Sequence, residues 1–153
     1  MRVILDSTPL GMATNPNASA DSEECSRWLE ALLAKGVTVR VPEICDYEIR
    51  RELLRAKKAR GLQRLDDLKA AIGYIPLDTR IMLKAAELWA AVRNIGLPTA
   101  GDEALDGDVI LAAQAILTSN VLEQTIIATQ NVAHLSRFDT PTVTAMEWRD
   151  VIA

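Results

Sequence analysis

Short unbroken apolar runs alternate along this chain with stretches whose apolar residues recur every three or four positions. The two spacings predict strands and helices in turn. Residues 2–5, 37–41, 74–77 and 125–129 are such runs, and 142–144 is a shorter one. A run without polar alternation suits a strand buried on both faces of a parallel sheet. Between the runs, Asp21-Ser22-Glu23-Glu24 opens a helix that carries Cys25, Trp28, Leu29, Leu32 and Leu33 until Gly36 stops it. From Glu43 the chain turns helical and basic, and Gly61 is expected to separate that helix from a second one over 62–72. Asp78 caps a long helix bearing Ile81, Leu83, Ala85, Ala86, Leu88, Trp89 and Val92.

The stretch 105–117, LDGDVILAAQAIL, predicts a core helix with Asp106 as its N-cap and Asp108 in its first turn. Pro9, Gly11 and Asn15-Pro16-Asn17 mark a loop after the first strand, and Pro98, Gly101 and Gly107 keep the segment before Asp108 open. Residues 134–138 read as a turn and 146–152 as a terminal helical turn. The order of elements is that of an α/β fold. Right-handed crossovers would give a mostly parallel central sheet of four to five strands with helices on both faces. The length, 153 residues, fits a single domain spanning 1–153.

Composition adds exclusions. Apolar residues are 49% and charged residues 25% of the chain, which suits a globular protein and excludes disorder. The start, Met1 to Asp6, meets an acid after three apolar residues, so it does not form the apolar part of a signal peptide. No run nears the roughly 20 apolar residues a membrane helix needs. The expectation is a cytoplasmic protein with no membrane partner. Cys25, Cys45 and the single His134 offer no thiolate–imidazole zinc spacing, and both cysteines are expected to be small buried residues. The net charge of −4 argues against coating nucleic acid through an overall field and leaves room for a local basic groove.

That groove has a candidate. From Arg50 to Arg64 there are seven basic residues and one acid, and Arg51, Arg55 and Lys58 are the RNA-binding candidates among them. A solvated helix surface accounts for the same residues equally well.

The acids carry the sharper chemistry. Asp6 ends the first strand and Asn131 follows the fourth, where ligands bind in open α/β sheets. Glu48 lies on the helix after the second strand, and Asp106 and Asp108 open a later helix. The helix dipole alone is a structural reason for the last two. Gathered without a cation, such carboxylates repel by roughly 1 kcal/mol per pair in water at about 4 Å. Three or more in one pocket therefore raise their pKa values or bind a hard divalent ion, for which oxygen ligands suit Mg2+ or Mn2+. A magnesium site with open positions can polarise a phosphodiester and activate water without any histidine.

These pieces resemble the PIN-domain family, small metal-dependent nucleases that include the VapC-type toxins of toxin–antitoxin pairs. The matching stretches are VILDS with Asp6 and Ser7, CDYEIRREL with Glu48, DGDVILAAQA with Asp108, and ATQNVAHLSRF with Thr129, Asn131 and Phe138. The resemblance implies a PIN-like fold and a Mg2+- or Mn2+-dependent endoribonuclease in which Asp6, Glu48 and Asp108 hold the metal. Asn131 would stand where some members carry a fourth acid, and Ser7 and Thr129 would orient the ligands from behind. Asp106 either adds charge to the site or caps its helix. His134 is read as a turn or core residue. The resemblance also implies RNA as substrate, a cognate antitoxin as partner, and a homodimer.

Two other readings stand beside this one. A PIN-like module could bind RNA or protein with little or no cleavage, since fold does not fix function. A phosphoryl-transfer domain using Asp6 as nucleophile is weaker. Asp6-Ser7-Thr8 lacks a second acid two residues on, and no Gly-rich phosphate loop follows.

Overall fold

The computed structural model describes residues 1–96 and 102–153, with the backbone alone at 102 and 103. Five strands, β1 (Arg2–Leu5), β2 (Thr38–Pro42), β3 (Tyr74–Ile75), β4 (Thr125–Thr129) and β5 (Val143–Glu147), form one sheet in the order β3-β2-β1-β4-β5. Every pairing is parallel, so the α/β expectation holds with all five strands running one way. Val3, Ile4 and Leu5 are fully buried, and all five residues of β4 are buried, as unbroken apolar runs between two helical layers require.

The crossovers are made by α1 (Ser7–Thr14) and α2 (Ala20–Ala34), then α3 (Glu43–Arg55) and α4 (Ala59–Ile72), then α5 (Thr79–Asn94) and α6 (Asp102–Thr118), and last α7 (Val132–Leu135). The first two crossovers step outward from β1 toward β3, and the third returns past β1 to β4. Right-handedness then puts α1 to α4 on one face and α5 to α7 on the other. The chain reverses direction at β1, and β1 and β4 lie side by side there. That switch point is where an α/β sheet opens a crevice at its carboxyl edge.

Several local expectations were overturned by packing. The segment after β1 is a helix, not a loop. Asp6 caps it, accepting the Ser7 N–H, and Pro9 is the third helical residue, where its missing N–H would have had no partner within the helix. Helix α2 is capped by Ser19, whose hydroxyl and that of Ser22 form a capping box, one residue or more before the acids that announced it. Leu33, placed in the core by its spacing, is 38% exposed.

Gly61 does not break the α3–α4 segment. The break falls at Lys57, with φ of 55°, and Gly61 lies inside α4 where a Cβ would stand 2.8 Å from Leu53 Cδ2. It is a close-packing glycine. Likewise α6 begins at Asp102, so neither Asp106 caps it nor Gly107 keeps it open. Pro98 and Gly101, read as loop residues, lie outside the described residues. The last strand runs three residues further than expected, through Glu147, and a 3-10 turn at Trp148–Asp150 replaces the terminal helical turn. Fully buried Trp148 meets Trp28 edge-on at 5.3 Å, and the Trp28 indole N–H donates to Val151 O, tying the chain end to α2.

Among the described residues no helix is long and apolar enough to cross a membrane.

Candidate functional site

Asp6 stands at the exit of β1. The register pairs Leu5 with Ala128, so the next step along both strands sets Asp6 opposite Thr129. The Thr129 hydroxyl donates to Asp6 Oδ2 at 2.6 Å, and the Ser7 N–H donates to Oδ1 at 2.7 Å. The buried thiol of Cys45 approaches the same Oδ1 at 3.9 Å. Burial pushes the Asp6 carboxyl above its ordinary value, against these donors, which favour the ionised form.

Glu48 comes from α3 on the neighbouring crossover, and Ser7 joins it to Asp6. The Ser7 hydroxyl donates to Glu48 Oε1 at 3.1 Å while its N–H holds Asp6. Burial pushes Glu48 up as well, with the Ser7 hydrogen bond opposing and the charge of Asp6 adding to the rise. Asp108 arrives from α6 on the opposite layer. Burial first, then the charges of Asp6 and Glu48, push its carboxyl up to about 6, with Arg137 pulling the other way. These are the crowded acids expected from the sequence, drawn from three elements to one edge of the sheet.

Gly107 explains how α6 comes so near. A Cβ there would lie 3.2 Å from Glu48 Oε2, so the bare backbone of α6 packs on the Glu48 carboxylate and sets Asp108 beside it. In the sequence this glycine looked like a loop residue; its purpose depends on a side chain 59 positions away.

Asp106 goes elsewhere. Two positions along a helix turn the side chain by about 200°, and Asp106 faces α5, exposed, in a groove with Met82, Ala85 and Trp89. The structure therefore separates it from Asp6, Glu48 and Asp108, and it is neither cap nor neighbour of the acid cluster. Asn131 is exposed at the start of α7. Its N–H donates to Thr129 Oγ1 at 2.8 Å, which links it to Asp6 through one hydroxyl, and its side-chain amide is 3.2 Å from His134 Nδ1. His134 is thus a rim residue held by Asn131, a contact that the sequence spacing alone did not suggest.

The basic strip is thinner than its composition. Arg50 is committed to Asp46 and Asp66, Arg64 donates to Asn15 O, and Arg55 pairs with Glu52 at 2.8 Å. Arg51 and Lys58 are exposed and form no ion pair among the described residues. Arg51 lies over the ring of Tyr47, and its charge favours the ionised form of Glu48.

The donor set of the acid cluster is oxygen only. Burial and the nearby charge of Asp6 push the Cys45 thiol far up, so it remains a neutral donor and not a thiolate ligand. Three partly buried carboxyls, each pushed above its ordinary value, thus share one edge of the sheet. Among the described residues, no group of three or more His, Cys, Asp or Glu side chains is arranged so that it could hold a metal ion. The cluster is electrostatically coupled and geometrically open.

No protein-family model matches the sequence, and no curated protein does. Solved structures do share the fold. VapBC2 from Rickettsia felis, bound to a DNA fragment from their promoter, contains a chain 21% identical, with a TM-score of 0.70 over 97% of this chain and 99% of that one. FitAcB from Neisseria gonorrhoeae is similar at 18% identity and a TM-score of 0.65 over 97% and 99%. VapBC-1 from nontypeable Haemophilus influenzae is similar at 14% and 0.62 over 98% and 100%. The fold is PIN-like, as the sequence resemblance implied, and it extends along nearly the whole chain.

Proposed function

We propose that this chain is a Mg2+- or Mn2+-dependent endoribonuclease that hydrolyses phosphodiester bonds in RNA and acts as the toxin of a pair with an antitoxin protein. The observation that carries the reading is the convergence of Asp6, Glu48 and Asp108 from β1, α3 and α6, with all three carboxyls pushed up by burial, Glu48 also by the charge of Asp6, and Asp108 also by those of Asp6 and Glu48. These three would hold the ion. When bound, it supplies Lewis-acid polarisation of the phosphodiester and activation of water.

The chain's own residues do the positioning. Ser7 fixes the spacing of Asp6 and Glu48 by bonding both, and Thr129 fixes the rotation of Asp6. Asn131 adds a polar group and no charge at the rim. Arg51, exposed and without an ion-pair partner among the described residues, would supply a cation for a phosphate from the helix that carries Glu48. The paired names VapBC and FitAcB of the similar structures support a two-protein system, and the antitoxin is the partner proposed here.

The second reading, a PIN-like module that binds RNA or protein without cutting, is favoured by the open geometry of the acid cluster and by the neutral Asn131. Cleavage of unstructured RNA in magnesium or manganese separates the two. The nuclease reading expects cleavage by the wild type and its loss in Asp6→Asn and Asp108→Asn; equal cleavage by all three would assign the activity to a contaminant, and none by any would leave the binding module.

A further inference from the structure

Tyr47 is 54% exposed on α3, one position before Glu48, and the Arg51 guanidinium lies 5.1 Å from its ring centroid. Residues 47 and 51 are one helical turn apart and share a face, while Glu48 lies about 100° round toward the acid cluster. Arg51 stands within one helical turn of both residues: it covers the Tyr47 ring and lies three positions after Glu48 on the same helix. Isolated exposed apolar residues need no explanation. Here an aromatic ring, a cation without an ion-pair partner among the described residues, and one carboxylate of the acid cluster, Glu48, stand within one turn of the same helix.

Two other exposed aromatics also carry a cation, but neither adjoins the acids. Tyr74 sits at the end strand β3 with Lys69, and Trp89 lies on α5 with Arg93. Tyr47 is set apart by its position next to Glu48 on α3.

We propose that Tyr47 and Arg51 form a subsite for one nucleotide of the RNA, the ring stacking on an unpaired base and the guanidinium contacting the adjoining phosphate. The inference rests on the nuclease reading and deepens it. Every base has a π-face, so a tyrosine platform accepts any base, provided that the base is free of a duplex stack. Arg51 polarises the ring from one side and neutralises a phosphate at its edge, so a single turn of helix recognises both halves of a nucleotide. The subsite thus selects unpaired RNA while leaving the sequence open, and it positions the phosphate that follows against Glu48.

The test is binding of a labelled single-stranded oligoribonucleotide, and of its counterpart with abasic nucleotides, measured by anisotropy with calcium in place of magnesium. Losing one base–aromatic stack should weaken binding by about tenfold or more. The wild type should prefer the intact strand to the abasic one by that factor, Tyr47→Leu should lose the preference, and Tyr47→Phe should keep it. A Tyr47→Leu protein that discriminates as the wild type does would overturn the subsite. So would a Tyr47→Leu protein with unchanged RNA binding but lost self-association, since the ring would then belong to a protein interface. A wild type that binds with the expected preference yet cleaves nothing in magnesium or manganese would overturn the nuclease and leave the subsite standing. Failure of the wild type to bind either strand would overturn both.

Discussion

The α-carbon of Gly107 lies against the Glu48 carboxylate, so close that a methyl group there would stand 3.2 Å from Oε2. This contact joins the two helical layers at the edge of the sheet where Asp6 emerges, and it makes the residue before Asp108 part of the site. Gly107→Ala should separate site from fold. In a helix interior the change favours stability by about 1 kcal/mol, while the methyl pushes Glu48 aside. The melting temperature without metal should hold or rise, and the rise on adding magnesium should shrink; an undiminished magnesium effect would show that Glu48 is not a ligand.

Thr129 holds Asp6 from β4, donating to Oδ2 at 2.6 Å and accepting from the Asn131 N–H at 2.8 Å. Thr129→Val keeps the shape and removes both bonds, leaving a buried acceptor and a donor unpaired at a cost of about 1–3 kcal/mol. Urea denaturation should show that loss, and Thr129→Ser should restore most of it.

Asp108 links pH to stability with a definite sign. Its carboxyl is pushed up to about 6 from an ordinary value of 3.8 by burial and then by Asp6 and Glu48. The folded protein therefore holds this proton more tightly than the unfolded chain does. The stabilisation is complete below the unfolded pKa and is lost as pH rises through the folded one. Without metal, the melting temperature of the wild type relative to Asp108→Asn should fall between about pH 4 and pH 6. Magnesium, which favours the ionised form, should bind more tightly as pH rises through the same range. A difference between the two proteins that does not change with pH would show that the Asp108 carboxyl is not raised in the folded protein.

Arg51 and Arg55 differ in a way that salt can reveal. Arg55 is ion-paired with Glu52, while Arg51 covers the Tyr47 ring and forms no ion pair among the described residues. Arg51→Ala should reduce the slope of log affinity for RNA against log salt by about 1. Arg55→Ala should change it less. Equal effects would mean that the Glu52 pair opens on binding.

The α/β order was legible because its cues are local, and the PIN-like likeness lay in the four stretches around Asp6, Glu48, Asp108 and Asn131. Unbroken apolar runs mark buried parallel strands, and helical spacing between them leaves few topologies once crossovers are right-handed. Four of the five strands were placed to within two residues at each end, and Asp6, Glu48 and Asp108 were singled out as acids at strand ends and helix faces. Misplaced elements share a cause. Pro9 and Gly11 look like a loop until Asp6 caps a helix over them, and Gly61 looks like a break until Leu53 packs where its side chain would be.

On its own, the sequence determined the succession of strands and helices along the chain and the polar residues at strand exits, since periodicity and residue chemistry are properties of neighbours along the chain. Only the tertiary structure decided which acids meet. Asp106 and Asp108 are nearly indistinguishable as letters two positions apart, yet the helix turns one to α5 and the other to Glu48. It also decided that Ser7 would bond two acids, that Arg50 would be committed to Asp46 and Asp66, and that Tyr47 would stand exposed next to Glu48 with Arg51 over its ring. Such choices depend on distances through space between residues far apart in the chain, and no local pattern carries that information.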